Sequence, residues 1–401
     1  METRELSGAI PEAAAILKSG GLVAVPTETV YGLAANGFDE AAVSKIYEVK
    51  GRPENKPLSL MVKGAEAMEQ LCEDVPKAAY LLADIYWPGP LTIVMKAKDT
   101  IPDIVRAGGS TVGLRCPDHP QLRELLNALD FPLAAPSANP SGEKSPVKAE
   151  DVFRYFNGKI EGIIDGGECT LGKESTLIDL SKTPYSILRK GAVSASELYM
   201  ALTASLTIIG ITGGTGSGKT TALDVIREMD GLVIDTDEVY HTLLNESEPM
   251  LAALNERFPG VIPEGTRDTK ALGKIVFSDP EALRDLNAIT HKFVGEEMTR
   301  RLSDWARQGK ELAAIDAIAL VESGIANICK ATVGVTAPVE TRIERLMKRE
   351  NISREYAALR IAAQKSDEFF VKNCGYTVSN DGTEADFKIK CREIFETIVR
   401  R

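Results

Sequence analysis

The sequence predicts an α/β protein of two tandem domains. A twisted α/β sheet domain is expected over residues 1–203, and a parallel sheet with flanking helices over residues 204–401. Three observations carry this reading. At 401 residues the chain is long for one core, since domains average roughly 150 residues. A short apolar run, LTIIGIT at 206–212, opens a regular alternation of strand-like and helix-like segments. Before that run, strands and helices mix without such regularity.

In the first half the strand-like segments are GLVAVP, LSLMV, LTIVMKA and PLAAPSAN, with EAAVSKIYEVK reading as a helix. They fit a twisted α/β or α+β sheet. The strand GLVAV runs into Pro26, where a regular ladder stops. YSILRKGAV reads as the last strand and its exit. The connector AVSASELYMALTASL carries no Gly/Ser or Pro-rich spacer and reads as a short helix.

The second half alternates clearly. After LTIIGIT come a helix from Lys219, the strand GLVIDTD, helices between Val239 and Arg307, and ELAAIDAIAL. Then follow ATVGVTA, the amphipathic VETRIERLMKRE and SREYAALRIAAQ, the strand YTVSN and a last helix. Such alternation predicts a parallel sheet covered on both faces.

Composition excludes several classes. With 44% hydrophobic and 26% charged residues the chain is ordinary for globular, water-soluble domains. A net charge of −11 argues against a protein that grips nucleic acid mainly through phosphates, although a local basic cleft stays open. DNA is not an expected partner. The six cysteines are scattered with no C-x-x-C, which fits reduced thiols in a cytoplasmic protein better than disulfides or zinc. METRELSGAIPEAAAIL does not read as a signal peptide. No apolar stretch approaches the length of a membrane span, so no membrane partner is expected.

Gly213 to Thr220, GGTGSGKT, fits the P-loop pattern G-x-x-x-x-G-K-[ST]. Its glycines (Gly213, Gly214, Gly216, Gly218) let backbone N–H groups turn toward nucleotide phosphates, and the following helix aims its positive end at them. Lys219 can reach the β- and γ-phosphates, and the Thr220 hydroxyl can ligate Mg²⁺. Downstream, Asp235 and Asp237 stand at the C-terminal end of GLVIDTD, the edge where parallel sheets bind ligands. A carboxylate there can take the proton of an incoming hydroxyl or help hold Mg²⁺. Two acidic residues capping the next helix are the alternative.

GITGGTGSGKTT, VIDTDEVYH, LGKIVFSDPEALRDLNAITH, IDAIALVESG, RIERLMKRE and REYAALRIAAQ follow one another in the order found in dephospho-CoA kinases. The likeness covers residues 206–401. It implies a P-loop NTPase-type sheet with a helical lid, and transfer of the ATP γ-phosphate to the ribose 3′-hydroxyl of dephospho-CoA, with Mg²⁺. By that resemblance Gly213, Gly214, Gly216, Ser217, Gly218, Lys219, Thr220 and Thr221 hold ATP. Asp237 is the base, Asp235 and His291 lie on the acceptor side, and Arg360 with Gln364 lies in or beside the lid. Arg342 is expected on a solvated helix face, whereas Arg360 is expected against phosphate, because lids over transferring phosphoryl groups need cations. The chain departs from the family's His-Pro at His291-Lys292, and from a Pro-Leu-Leu run at Ile318-Ala319-Leu320. The runner-up reading is another small-molecule P-loop kinase.

The first half gathers short hydroxyl and amide side chains beside cations: Thr27, Thr29 and Tyr31, then Lys50, Arg52 and Lys56 in KGRPENK, then Thr111 and Arg115 in TVGLRCP. PSANPSGEKS, GKEST and SILRKG continue the set. Such a set suits a phosphate-bearing ligand and a small zwitterion, not nucleophilic catalysis or a metal cluster. PTETVYGL, KGRPENKPL, WPGPLT, APSANPSG, ESTLID and ILRKGA resemble the threonylcarbamoyl-AMP synthase family, the YrdC-like domain, over residues 7–200.

The resemblance implies that L-threonine, bicarbonate and ATP give threonylcarbamoyl-adenylate and pyrophosphate, for threonylcarbamoyladenosine in tRNA. It also implies partner proteins that transfer the threonylcarbamoyl group. Lys50, Arg52, Ser137 and Asn139 would surround the triphosphate, and Lys56, Thr111, Ser145 and Arg189 would hold the nucleotide. Thr29, Arg115, Ala135 and Ser175 would hold threonine, with Arg115 on its carboxylate. Met61 stands where many members carry His, leaving one edge of the threonine pocket less polar. A YrdC-fold RNA-binding or regulatory module remains the alternative.

Overall fold

The apolar, β-branched run at 206–212 needs cover on both faces, which a central strand receives. In the computed structural model of the chain, which describes residues 2–6, 8–260 and 270–400, it forms the strand Thr207–Gly213. Among the described residues this is the middle of five parallel strands, in the order Leu232–Asp235, Leu312–Asp316, Thr207–Gly213, Ala331–Thr336, Tyr376–Ser379. The register sets both Asp235 and Ile211 opposite Asp316. The turn after Gly213 and the two carboxylates therefore leave from the same sheet edge.

One face of this sheet is packed as the alternation requires. Ile209, Ile211, Val333 and Val335 meet Val225 and Ile226 of the helix Lys219–Glu228, and Phe387 and Phe395 of the helix Glu384–Arg400. A separate cluster of Leu244, Met250, Leu254, Leu272 and Val276 joins the helices between 236 and 278. The helices Val339–Glu350 and Arg354–Ala362 form a hairpin closed by Ile343, Leu346, Ala357 and Ile361. Its turn places Asn351 in the left-handed region at φ 52°, a conformation Asn tolerates better than most residues. This hairpin is the helical lid.

The chain divides into two units, Met1–Ser205 with Arg307–Gly309, and Leu206–Ala306 with Lys310–Arg401. In the first unit the sheet is mixed. Among the described residues its strands run Arg4–Glu5, Gly162–Ile163, Val23–Val25, Gly32–Asn36, Leu133–Ala134, Ser59–Met61, Thr111–Arg115, Leu91–Lys96, Thr176–Asp179, Ser186–Arg189. Parallel and antiparallel neighbours alternate irregularly. The helices Ile10–Lys18 and Pro120–Asn127 pack on it through Leu17, Leu122 and Leu125.

PLAAPSAN pairs as a strand only at Leu133–Ala134. Pro136 and Pro140 bring no N–H to a ladder, so beyond Ala134 the pairing thins to a single bridge of Ser137 with Gly32, and the chain then leaves as a loop carrying Asn139. The helix Glu40–Lys50 is capped by Asp39, whose carboxylate accepts from Ala41 and Ala42 N–H, and it stops at Gly51 in the left-handed region at φ 58°. That stop fixes Lys50 at the last helical turn and Arg52 just beyond it. Among the described residues no helix is long and apolar enough to cross a membrane.

Phe387 joins this packing to the site edge, since its ring lies 3.5 Å from where a Cβ on Gly218 would stand, and it is 1% exposed. Phe387→Ala is expected to destabilise the second unit by about 3–5 kcal/mol, the usual cost of emptying a buried Phe site. Denaturant unfolding of the full chain would read this as an earlier midpoint for one of its transitions.

Candidate active sites

In the second unit the turn between strand and helix has its carbonyls tied down on the outside. Lys219 Nζ donates to Gly213 O at 2.9 Å, Arg342 Nε to Thr215 O at 3.0 Å, Arg345 Nη1 to Gly216 O at 3.1 Å, and Asn380 Nδ2 to Ser217 O at 2.9 Å. Ser217 N–H closes the turn on Gly214 O at 3.1 Å. Carbonyls held outward leave the amides of the helix's first turn, which have no intrahelical partner, for an anion. They border a cavity of about 420 Å³ that Lys219, Thr220 and Thr221 line. Gly218 has φ 106°, and a Cβ there would stand 2.1 Å from Asn380 Nδ2, so this position requires glycine.

Of the ATP residues expected from sequence, Gly214, Gly216, Gly218, Lys219, Thr220 and Thr221 line this cavity. Gly213 and Ser217 stand behind them. The Ser217 hydroxyl is buried without a hydrogen-bond partner among the described residues. Arg360 does not line the cavity; it pairs with Glu350 on the lid surface. Beside Lys219, the cations that line it are Arg345 and Arg349, one helical turn apart.

Arg342 is not on a solvated face: it is 2% exposed and packs against the turn. A guanidinium can stay buried there because Thr215 O, the Gln364 carboxamide and Asp367 surround it. Burial still lowers its pKa, with Asp367 opposing.

Asp235 is the cap that its spacing allowed. Its Oδ1 accepts from Asp237 N–H at 2.9 Å and Glu238 N–H at 3.2 Å, which starts the helix Thr236–Glu246. Capping aims Asp237 into a second cavity of about 380 Å³, whose walls include Tyr240, Asn287, Thr290 and His291. The two cavities flank the end of one strand, because Asp316 lines the first and Ala317 the second.

Asp316 escaped the sequence reading, although it stands in IDAIALVESG beside an apolar run. Its Oδ1 is buried with no hydrogen-bond partner among the described residues. Burial raises its pKa to about 6; Lys219 pulls it down, while Asp235 and Asp237 push it up.

In the first unit Arg52, Arg115 and Arg189 open onto one cavity of about 230 Å³ with Met61, Ala135, Ser137 and Ser175. Each guanidinium is fixed. Arg52 donates to Lys56 O at 3.2 Å and Pro57 O at 2.9 Å. Arg115 donates to Glu28 Oε1 at 2.7 Å and Gly89 O at 3.3 Å. Arg189 reaches Glu174 at 2.8 Å and the Ser175 hydroxyl at 3.0 Å. Lys50, 3% exposed, donates to the carbonyls of Ser137 and Asn139. Burial and then Arg52 lower its pKa to about 7, against the pull of Glu174.

The remaining expected residues stand further back. Ser145 meets the site through Glu174, to which its hydroxyl donates at 2.9 Å. Asn139 Nδ2 holds the loop carbonyls of Pro140 and Glu143, while its Oδ1 is buried without a partner among the described residues. The Thr29 hydroxyl bonds that of Thr27 at 2.8 Å. Thr111 starts the strand that Arg115 ends. Lys56 contributes its carbonyl to Arg52 and to the Tyr47 hydroxyl. None of these five lines the cavity.

Sequence reasoning missed Glu28 and Glu174. A buried arginine at the end of an apolar strand demands a carboxylate, and Glu28 between two threonines was the signal available. Its other oxygen accepts from Asp118 N–H at 3.1 Å.

Comparison with known proteins matches the two halves of the chain separately. The Sua5/YciO/YrdC family, described as telomere recombination, matches residues 15–191, and the dephospho-CoA kinase family matches residues 207–386. A threonylcarbamoyl-AMP synthase of Pyrococcus abyssi is 46% identical over 186 residues, 46% of this chain and 55% of its own length. The chain thus spans about half the length of that relative. A putative threonylcarbamoyl-AMP synthase of Methanocaldococcus jannaschii is 37% identical over 45% of this chain and 84% of its own length. A dephospho-CoA kinase of Corynebacterium glutamicum is 34% identical over 48% of this chain and 98% of its own length. The chain belongs to two families at once, with its first half in the threonylcarbamoyl-AMP synthase family and its second half in the dephospho-CoA kinase family.

Proposed function

We propose that the chain is a bifunctional enzyme that breaks ATP at the α-phosphorus in its first unit and at the γ-phosphorus in its second. The first unit would join L-threonine, bicarbonate and ATP into threonylcarbamoyl-adenylate, releasing pyrophosphate, for tRNA threonylcarbamoyladenosine. Transferase proteins that carry the group to tRNA would be its partners. The observation carrying this reading is the convergence of Arg52, Arg115 and Arg189 on one cavity with Ser137 and Ser175. Threonine's amine traps carbon dioxide as a carbamate, whose oxygen attacks the α-phosphorus as pyrophosphate leaves. No covalent enzyme intermediate is needed, so positioning and charge neutralisation supply the rate. Arg115, oriented by Glu28, suits the threonine carboxylate, and Arg52 with Lys50 suits the triphosphate. Met61 closes one side with a thioether.

The second unit would transfer the γ-phosphate to the ribose 3′-hydroxyl of dephospho-CoA. The observation carrying it is Asp237 facing a cavity beside the P-loop cavity, across the end of the strand that Asp316 closes. Asp237 would take the hydroxyl proton. Lys219 would exchange Gly213 O for phosphate oxygens, and Arg345 and Arg349 would neutralise the transferred charge. The Thr220 hydroxyl and the partnerless Oδ1 of Asp316 fit Mg²⁺, a hard cation that takes few protein oxygens beside phosphates, and it would supply charge neutralisation on the triphosphate.

Pyrophosphate release from labelled ATP should require threonine; threonine-independent release, or none, would sink the synthase reading. A polyphosphate in the cavity beside Arg52 favours the charged form of the buried Lys50 behind it, raising a pKa that burial has lowered to about 7. ATP binding to the first unit should therefore take up a proton at pH 8. Calorimetry in buffers of different ionisation heat would show the uptake, and Lys50→Met should remove it. In the second unit Asp237→Asn should lower kcat toward dephospho-CoA by roughly 10²–10⁴-fold, the usual range for a general base, with nucleotide affinity nearly intact. Preference for adenosine or uridine over dephospho-CoA would refute the assignment.

A further inference from the structure

Thr215 occupies a position where the P-loop pattern accepts any residue, yet all three of its polar groups are engaged. Its N–H donates to Gln364 Oε1 at 2.8 Å, and its hydroxyl accepts from Gln364 Nε2 at 2.5 Å. Its carbonyl accepts from Arg342 Nε at 3.0 Å. Gln364 and Arg342 are themselves joined, Nη2 to Oε1 at 3.1 Å. Arg342 lies in the first lid helix and Gln364 just after the second, so one residue of the phosphate turn is clasped by both arms of the lid. Gly214 makes room for the clasp, since a Cβ there would stand 2.1 Å from Arg342 Nη2.

Resting on the kinase reading above, we propose that Gln364 is a positioning residue that fixes the base of the lid to the phosphate turn through Thr215. Its consequence is felt at Arg345 and Arg349, which follow Arg342 on the same helix and face the phosphate cavity. With the base clasped, those guanidiniums hold one register against the phosphates. The exposed outer part of the hairpin, where Leu359 is 68% and Tyr356 54% exposed, is left as the part free to move. The bland role, support of a helix end, predicts lower stability alone. The clasp predicts a defect specific to ATP.

The test uses the full chain carrying Gln364→Ala, Thr215→Val, Thr215→Ser and the double variant Thr215→Val/Gln364→Ala. Gln364→Ala should raise KM for ATP ~10-fold, the equivalent of one or two lost hydrogen bonds, while KM for dephospho-CoA stays within twofold or so. Thr215→Val should reproduce part of that shift and Thr215→Ser should restore wild-type values, because the hydroxyl is what Gln364 reads. In the double variant the two effects should fall short of multiplying, as for residues in contact. Mg·ATP titration provides the same comparison without an acceptor, reading the second-unit site as the one lost in Lys219→Ala. Failure of dephospho-CoA phosphorylation by the wild type would therefore refute the kinase reading and leave the clasp still measured. Unchanged ATP constants in Gln364→Ala, a mere fall in Tm, or fully multiplicative effects would overturn it.

Discussion

The second unit depends on one arrangement: a glycine-rich turn whose carbonyls at Gly213, Thr215, Gly216 and Ser217 are each bonded to a side chain, leaving the first-turn amides of the following helix for an anion. Backbone carbonyls carry the negative end of each peptide dipole, and one left facing a triphosphate would repel it. Here Lys219, Arg342, Arg345 and Asn380 hold the carbonyls of Gly213, Thr215, Gly216 and Ser217. The donors come from elements up to 163 residues away in sequence, so the turn is correct only when the lid helix and the last strand's exit are in place. This links the phosphate cradle to the packing of Phe387 and Leu346, which have no polar part in the chemistry.

The first unit handles the same ligand class without a P-loop, and the electrostatic problem differs. Three arginines must be held around one cavity before any phosphate or carboxylate arrives. An unpaired buried cation is costly: buried Arg115 has Glu28 and buried Lys50 has loop carbonyls, while the more exposed Arg189 and Arg52 are held by Glu174 and by loop carbonyls. Lys50 and Arg52 both have carbonyl partners and no carboxylate bonded to them, but Lys50 is the more buried, and burial lowers its pKa to about 7.

The strands and helices were legible where side-chain period or an apolar run spoke, as in LTIIGIT and EAAVSKIYEVK. The end of that strand at 132–139 was not, because PLAAPSAN is as apolar as a strand throughout, and only its prolines signal that pairing thins to the Ser137 bridge and stops before Asn139. Motif residues that line the cavities, such as Lys219 and Asp237, could be named from the sequence, Lys219 by the P-loop pattern and Asp237 by its place at a strand end. Partners of those residues could not. Glu28, Glu174 and Asp316 act by burial and proximity, which depend on pairing distant strands. Arg342 shows the limit most clearly: helical periodicity put it among exposed arginines, and only the fold of the hairpin onto the turn buries it.

The two sites also differ in what a ligand has to displace. In the second unit the first-turn amides are unpaired inside the helix, and a phosphate gains them without breaking a side-chain contact. Lys219 and Arg345 hold carbonyls of the turn, not carboxylates, and exchange these for phosphate. In the first unit Arg115 and Arg189 already face carboxylates, so an incoming anion must compete with Glu28 and Glu174. An exchange of ion pairs returns less free energy than a new pair, because part of the Coulomb gain is lost with the old partner. Affinity there should depend on ligands that satisfy several groups together, a carboxylate at Arg115 and phosphates at Arg52 and Arg189. A site that rewards only combined occupancy is suited to joining two substrates, whereas a preformed amide cradle is suited to holding one nucleotide while its last phosphate leaves.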